Sequence, residues 1–196
     1  MNPGEIKAWE FLKTLDPVEV CRRSGASFDP VARKYSIHSF NSDFNLLLAE
    51  EKITGDDLFL TRLGYFFGLS ALCYLNAAID VPPTGRLIKP SDIKGGQLFF
   101  RGSHVLPLDK LAARYGASKE DFLHKGSQLG AAVAPYGDAA LKLLPFVRIP
   151  VYLLLWEQDE EFPARTDLLF DSSCEMQAPL DILWSIAMMT TLAMMM

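Results

Sequence analysis

The chain has 196 residues, of which 49% are hydrophobic and 22% are charged, and its formal net charge is −5. This length fits one domain that buries roughly 70% of the surface its unfolded form exposes, so a substantial core is expected without disulfides or metal ions. The acidic balance, with no run rich in Lys and Arg, argues against a general nucleic-acid-binding protein.

The cysteines indicate a reducing compartment. Cys21, Cys73 and Cys174 lie far apart in the chain, so the spacing of a zinc or iron–sulfur site is missing. An odd and sparse set of thiols is typical of cytosolic proteins. The first residues also lack the basic start and apolar core of a secretory signal. These features predict a cytoplasmic protein.

The N-terminal part, at about residues 1–30, reads as a helical segment. Asn2 and Pro3 have the residue types of a helix cap and a first helical position, and apolar residues then recur about once per turn. Asp16 and the proline after it repeat this start signal, and the second helix should end near Gly25.

A hairpin and a long helix should follow. Tyr35 to Phe40 and Phe44 to Ala49 show strand patterns separated by turn residues. Asp56 to Ile79 is apolar nearly all the way round, which predicts a central helix. Its uncharged run, from Leu63 to Ile79, is at the short end for a membrane span of about 20 residues, so a buried helix of a soluble domain is the favoured interpretation.

The middle of the chain combines a long irregular segment with several short elements. Prolines and glycines between Asp80 and Lys94 block regular structure. A strand is predicted at Gln97 to Arg101, with His104 exposed just after it. Three helices should then follow, starting near Pro107, at Ser118 and at Asp138, with Pro145 ending the third.

The C-terminal third contains the clearest strand pair and a very apolar helix. Ile149 to Trp156 is an apolar run that leads through an acidic turn into a second strand at Asp167 to Phe170. A final helix begins at Pro179. Six of the seven methionines fall at or after Met176, and methionine fills irregular cores and interfaces. This helix should therefore be buried, either in the domain or against a partner.

Together these elements predict one α+β domain over residues 1–196. The two clearest strand pairs have short connections, which favours a mainly antiparallel, five-stranded sheet over parallel winding. The long central helix and the apolar C-terminal helix should cover it. The predicted strands are Tyr35 to Phe40, Phe44 to Ala49, Gln97 to Arg101, Ile149 to Trp156 and Asp167 to Phe170.

The densest group of reactive side chains lies in the acidic turn. Four carboxylates occupy five positions from Glu157 to Glu161, a set that could bind a hard cation or a basic partner. The spacing of a calcium loop is absent, so a solvated tip is favoured and no metal site is assigned. The sequence also lacks a phosphate-binding loop, a dinucleotide fingerprint, a nucleophile elbow and an HExxH pair. The candidate ligand-binding residues are His104, Trp156, Glu157, Asp159, Glu160 and Glu161, and no catalytic residue is assigned.

Three segments carry a family resemblance: SDIKGGQLFFRGSH, YGDAAL and IPVYLLLWEQDEEFPARTDLLFD. From about Tyr35 to the C-terminus the chain resembles the uncharacterised domain-of-unknown-function family number 3786, which is found mainly in anaerobic bacteria and archaea. Some relatives are joined to, or encoded near, iron–sulfur and corrinoid-dependent one-carbon proteins. The resemblance thus implies an accessory or cofactor-handling role in anaerobic metabolism. The cysteine-rich domain of the fused relatives is missing here, so no cluster is carried over.

The leading hypothesis is a cytosolic binding or accessory module for a small molecule, a cofactor of unknown identity or a partner protein. Its site would lie where His104, Trp156 and the 157–161 turn converge. One alternative is an enzyme that uses His104 with a carboxylate of that turn for acid–base or hydrolytic chemistry. A second is a structural homodimer joined through the methionine-rich helix. Nucleic acid and membranes are not expected partners.

Overall fold

The computed structural model describes residues 3–196 and contains eight α-helices and nine β-strands in that range. Asn2, predicted to cap the first helix, lies outside the described residues. The helices are α1 (Pro3–Leu12), α2 (Pro17–Ser24), α3 (Asp57–Ala77), α4 (Gly96–Phe99), α5 (Leu108–Tyr115), α6 (Lys119–Gln128), α7 (Cys174–Gln177) and α8 (Leu180–Ala193). The strands are β1 (Ser27–Asp29), β2 (Lys34–Ser39), β3 (Ser42–Leu47), β4 (Lys52–Thr54), β5 (Leu87–Ile88), β6 (Ala132–Val133), β7 (Ala139–Phe146), β8 (Ile149–Trp156) and β9 (Arg165–Asp171).

The α+β class is confirmed, but the single five-stranded sheet is wrong, because the strands form two antiparallel sheets. The first has the order β1-β2-β3-β4 and the second β5-β9-β8-β7-β6. The short strands β1 and β4 occupy both edges of the β2–β3 hairpin. No edge of that hairpin is left to pair with β8 or β9. A backbone hydrogen bond of 2.8 Å, from the Phe40 N–H to the Leu144 carbonyl, links the two sheets instead.

The strand predicted at Gln97 to Arg101 is wrong, because this segment is the four-residue helix α4 followed by a 3₁₀ turn at Gly102–His104. Gly95 has a φ of +82°, which turns the chain into α4 at little cost for glycine. The nearest sheet edge in sequence is β5, a strand of only two residues that pairs with β9. Within residues 3–196, the 97–101 segment pairs with no strand.

The helix predicted from Asp138 is also wrong, because residues 139–146 form β7, the strand between β6 and β8. Its apolar residues except Leu144 are buried, as is usual for a strand covered on both faces. Pro145 interrupts helices, yet it fits this strand because the β7–β8 register shifts between Leu143 and Phe146. A proline at such an irregularity costs the sheet no ladder hydrogen bond.

The predicted helix boundaries with clear capping residues are confirmed. The Asp16 side chain accepts a hydrogen bond from the Val18 N–H, and α2 ends at Gly25, whose φ is +75°. Asp56 accepts one from the Phe59 N–H at the start of α3. Ser118 accepts one from the Asp121 N–H at the start of α6. Local hydrogen bonding therefore determines where these helices begin.

Helix α3 lies at the centre of the core and contacts both sheets. Its Phe67 lies 4.3 Å from Phe44 of the first sheet, measured between ring centroids. Its Tyr74 stacks on Phe146 of the second sheet at 4.6 Å. Of the helices in residues 3–196, α3 is long and apolar enough to cross a membrane by length and composition, and half of its most apolar window is buried. Helix α8 packs beside α3 and buries Met189 completely.

A buried carboxylate anchors the irregular segment before β5. Asp171, the last residue of β9, is fully buried. Its Oδ1 accepts hydrogen bonds from the N–H and hydroxyl of both Thr84 and Ser173, and its Oδ2 accepts one of 2.7 Å from the Gly85 N–H. Burial alone would raise the pKa of Asp171, but these hydrogen bonds outweigh it and hold the pKa below its usual value. The carboxylate is therefore charged at neutral pH and joins the loop to the sheet.

Candidate functional site

A cavity of about 580 Å³ opens beside the turn that joins β8 to β9. Two aromatic rings, three carboxylates and one guanidinium contribute to its wall. The lining residues are Asp138, Trp156, Glu157, Asp159, Phe162, Pro163, Ala164 and Arg165. We call it the β8–β9 cavity.

The shape of the turn depends on Asp159. Its Oδ1 accepts hydrogen bonds from the N–H groups of Glu161 (2.8 Å) and Phe162 (2.7 Å), and the Phe162 carbonyl accepts one from the Asp159 N–H. Such a side-chain turn is a common use of aspartate. It leaves the Phe162 side chain 66% exposed at the cavity mouth.

The other two carboxylates connect the cavity wall to the rest of the fold. Asp138 Oδ2 accepts a hydrogen bond of 2.8 Å from the Glu157 N–H. Glu157 Oε1 accepts one of 2.9 Å from the Lys119 N–H at the start of α6, and its Oε2 lies 3.8 Å from Lys119 Nζ. A carboxylate at a helix N-terminus is favoured by the free N–H groups and the helix dipole. Glu157 is therefore first of all an anchor for α6.

Trp156 and Arg165 face each other across the β8–β9 hairpin. The guanidinium carbon of Arg165 lies 4.1 Å from the Trp156 ring centroid, a cation–π contact that contributes about 0.5–1 kcal/mol at an exposed site. Gly137 allows the chain to pass close to this pair, since its φ is +56° and a Cβ there would lie 2.7 Å from the Leu155 carbonyl oxygen. One face of the indole is thus covered by Arg165.

The acidic residues leave oxygen atoms free to meet a ligand. Asp138 Oδ1 and Asp159 Oδ2 have no hydrogen-bond partner among residues 3–196, since each carboxylate uses its other oxygen on the backbone. Three carboxylates against one guanidinium give the lining a formal charge of −2. Lys119, whose Nζ lies 3.8 Å from Glu157 Oε2, does not line the cavity and offsets part of this charge. The cavity therefore favours a positively charged group over a negative one.

Glu160 and Glu161, also predicted as site residues, lie next to this cavity rather than in it. With Asp159 and Phe162 they line an adjoining depression of about 490 Å³. Both side chains are exposed. They add to the negative potential around the opening without contacting its interior.

His104 belongs to a different cluster. Its ring stacks on Phe99 at a centroid distance of 4.5 Å and meets the Trp184 ring edge-on at 5.0 Å. Its carbonyl accepts a hydrogen bond of 2.9 Å from Trp184 Nε1. The prediction of an exposed histidine at a strand end is wrong, since His104 is half-buried in a 3₁₀ turn. It does not line the β8–β9 cavity.

No carboxylate of residues 3–196 forms an ion pair or hydrogen bond with the His104 ring; the histidine that does pair with one is His38, with Asp43. Within the same residues, no group of three or more His, Cys, Asp or Glu side chains is arranged to hold a metal ion. The arrangement can therefore bind and orient a ligand, but it presents no assembled acid–base pair at His104.

The thiols are poor candidates for nucleophilic chemistry. Burial raises the pKa of Cys73 to about 11, with the charge of Asp181 as a smaller cause. Burial likewise raises the pKa of Cys174 to about 12 and that of Cys21 above its usual value. Since the thiolate is the reactive form, these three groups react slowly at neutral pH.

Sequence reasoning missed Asp138, Phe162 and Arg165 as site residues. Arg165 lies opposite Trp156 because of the hairpin register, which depends on where the turn begins and ends. Asp138 reaches Glu157 because β7 pairs with β8. The mistaken helix at this point concealed that contact. Phe162 lies in the DEEFP segment, which the sequence predicts as a turn. A large apolar residue in a charged turn was the signal that could have identified it.

Comparison with known proteins identifies the family. The model of the family "Domain of unknown function (DUF3786)" matches residues 16–193. The chain belongs to this family. The DUF3786 match begins at Asp16, before Tyr35, and so includes α2 and the whole first sheet as well as the β8–β9 cavity. No curated protein and no solved structure matches the chain. The description of the family names no function.

Proposed function

We propose that this chain is a cytosolic binding module and that its ligand is a small organic cation held in the β8–β9 cavity. The observation that carries the proposal is the convergence of two aromatic rings with two unpaired carboxylate oxygens on one opening. Trp156 and Phe162 supply apolar surface, while Asp138 Oδ1 and Asp159 Oδ2 are free to accept hydrogen bonds from an ammonium group. The volume of about 580 Å³ is within the range of small-molecule sites.

The charge of the lining is what selects among ligands. Arg165 alone would attract an anion, but it lies over Trp156 and is balanced by Asp167, whose Oδ2 is 3.7 Å from its Nε. The remaining carboxylates repel an anionic ligand at close range. An amine attached to a planar or apolar body fits both features of the lining.

The binding proposal includes neither the enzyme alternative nor a specific metabolic role. The enzyme needs a carboxylate within reach of His104, and the ring of that residue packs on Phe99 and Trp184 instead. The accessory role in anaerobic one-carbon metabolism that the resemblance implies stays a prediction.

Two aromatic probes of opposite charge and similar size test the proposal: benzylammonium and benzoate, titrated by calorimetry at low ionic strength. At about 0.5 kcal/mol for each non-hydrogen atom, benzylammonium should bind with about 4 kcal/mol, a Kd of about 1 mM. Benzoate should bind at least about tenfold more weakly. The affinity for benzylammonium should fall as salt is added, because the charges are near the surface.

Isosteric variants identify the carboxylates responsible. Asp138→Asn and Asp159→Asn each keep the oxygen that accepts from the backbone but remove the charge, so the turn should persist while the affinity falls about threefold to tenfold. Asp109→Asn is the matched control, since this exposed residue of α5 does not line the cavity. Equal binding of both probes, or equal effects of all three variants, would exclude the proposal.

A further inference from the structure

Helices α3 and α8 present a joined apolar surface on the side that faces away from the sheets. Tyr65 is 77% exposed, whereas Leu69, Trp184 and Met188 are half-buried, and Phe99 and His104 cover part of the Trp184 ring. Residues spaced three or four apart share one side of a helix, which places these in a single stripe on each helix. We define the α3–α8 outer face by Arg62, Tyr65, Leu69, Asp181, Trp184 and Met188.

The two helices run antiparallel, which fixes the ends of this face. At one end, Arg62 and Leu192 line a common groove of about 420 Å³. Near the middle, the Ser185 hydroxyl donates a hydrogen bond of 3.1 Å to the Phe66 carbonyl. At the other end lies Asp181 in the first turn of α8, four residues before Ser185.

The charges on the face are self-complementary. Arg62 and Asp181 are its charged members, both are exposed, and neither forms an ion pair within residues 3–196. They stand at opposite ends, about 16 Å apart along the helices, since Leu192, which lines the same groove as Arg62, is eleven residues beyond Asp181 and a helix rises about 1.5 Å per residue. A two-fold axis through the centre of the face would place each Arg62 over the Asp181 of the second copy.

We propose that a second copy of this chain packs on the α3–α8 outer face and forms a two-fold symmetric dimer. The exposed and partly exposed apolar residues of the face supply the apolar contact, and two Arg62–Asp181 pairs set the register. A lipid surface fits less well, because it would leave both charges unpaired in the apolar region. The net charge of −5 also opposes binding to anionic headgroups.

Charge reversal combined with mass measurement tests the dimer. Sedimentation equilibrium of the wild-type chain should give twice the 21.9 kDa of one chain. Arg62→Asp and Asp181→Arg should each weaken dimerisation at least about tenfold, because each converts both attractive pairs into repulsive ones. The double variant restores opposite charges, so its dimerisation constant should return to within about threefold of wild type. Glu120→Arg, an exposed site on α6 outside the face, should leave the mass unchanged.

Three results would overturn the proposal. The first is a wild-type mass of 21.9 kDa at all concentrations up to about 100 µM. The second is a double variant as weak as the singles while circular dichroism shows every variant folded. The third is a monomeric wild type that floats with phosphatidylcholine vesicles, which would assign the face to a membrane. The wild-type mass decides the matter even if one variant fails to fold.

Discussion

Replacing Asp171 by Asn should lower the free energy of unfolding by about 3 kcal/mol. The carboxylate is fully buried and accepts five hydrogen bonds. An amide can keep its oxygen towards the Thr84 and Ser173 donors, but its NH₂ must then face the Gly85 N–H, which is 2.7 Å from Oδ2 in the native chain. A lost hydrogen bond to a charged group costs about 1.5–3 kcal/mol, and a buried donor left without a partner costs about 1–3 kcal/mol.

Denaturant unfolding followed by tryptophan fluorescence measures this change. For a chain of this size, about 3 kcal/mol corresponds to a midpoint lowered by about 6–12 °C in thermal unfolding. The control is Asp167→Asn in the same strand, whose carboxylate is partly exposed and lies 3.7 Å from Arg165. Its effect should stay within about 0.5 kcal/mol. Equal stability of the two variants would refute the view that Asp171 anchors the loop.

The same carboxylate should make stability depend on acid pH. The pKa of Asp171 is lowered in the folded chain relative to its ordinary value of 3.8, so the folded state binds this proton less readily than the unfolded state. Its stabilising contribution is complete above pH 3.8 and is lost as the pH falls through the lower, folded value. The difference between wild type and Asp171→Asn should therefore shrink below about pH 4. If the stability difference between wild type and Asp171→Asn grows as the pH falls, the pKa of Asp171 is not lowered in the folded chain.

Three further predictions concern other sites. Since the pKa of Cys73 is raised from 9.0 to about 11, its thiolate fraction at pH 8 should be about a hundredfold lower, and a disulfide reagent should label it rapidly only after denaturation. Gln177→Ala should cost about 2 kcal/mol in denaturant unfolding, because the buried amide bonds both the N–H and the carbonyl of Ile79; a cost below about 0.5 kcal/mol would contradict this. Gly137→Ala should shift the fluorescence of Trp156 and weaken benzylammonium binding, because a Cβ there would lie 2.7 Å from a β8 backbone oxygen at a φ of +56°; an unchanged spectrum would contradict it.

Elements determined by neighbouring residues were predictable from the sequence, whereas those determined by distant partners were not. Asp56 and Ser118 cap helices within three residues of themselves, so the sequence contains the whole interaction. Residues 139–146 read as helical locally, but their pairing with β6 and β8 prevails. Two sheets in place of one likewise follow from the edges that β1 and β4 occupy.

The same distinction applies to the residues of the candidate site. Trp156, Glu157 and Asp159 are near neighbours in a hairpin, so their grouping could be predicted from the turn. His104 could reach them only through the packing of distant elements, and Trp184 of α8 holds it elsewhere. Asp138 and Arg165 enter through strand register, which depends on the whole sheet.

The indole N–H resonances of the three tryptophans give the most direct test of the binding proposal. Trp9 is buried in the core, Trp156 lines the β8–β9 cavity and Trp184 contacts His104. Addition of benzylammonium to the isotope-labelled chain should shift the Trp156 resonance, assigned by its loss in Trp156→Leu, in a saturable way and leave the other two unchanged. A saturable shift at Trp184 alone, or no shift at Trp156 at tens of millimolar probe, about ten times the expected Kd or more, would contradict the account.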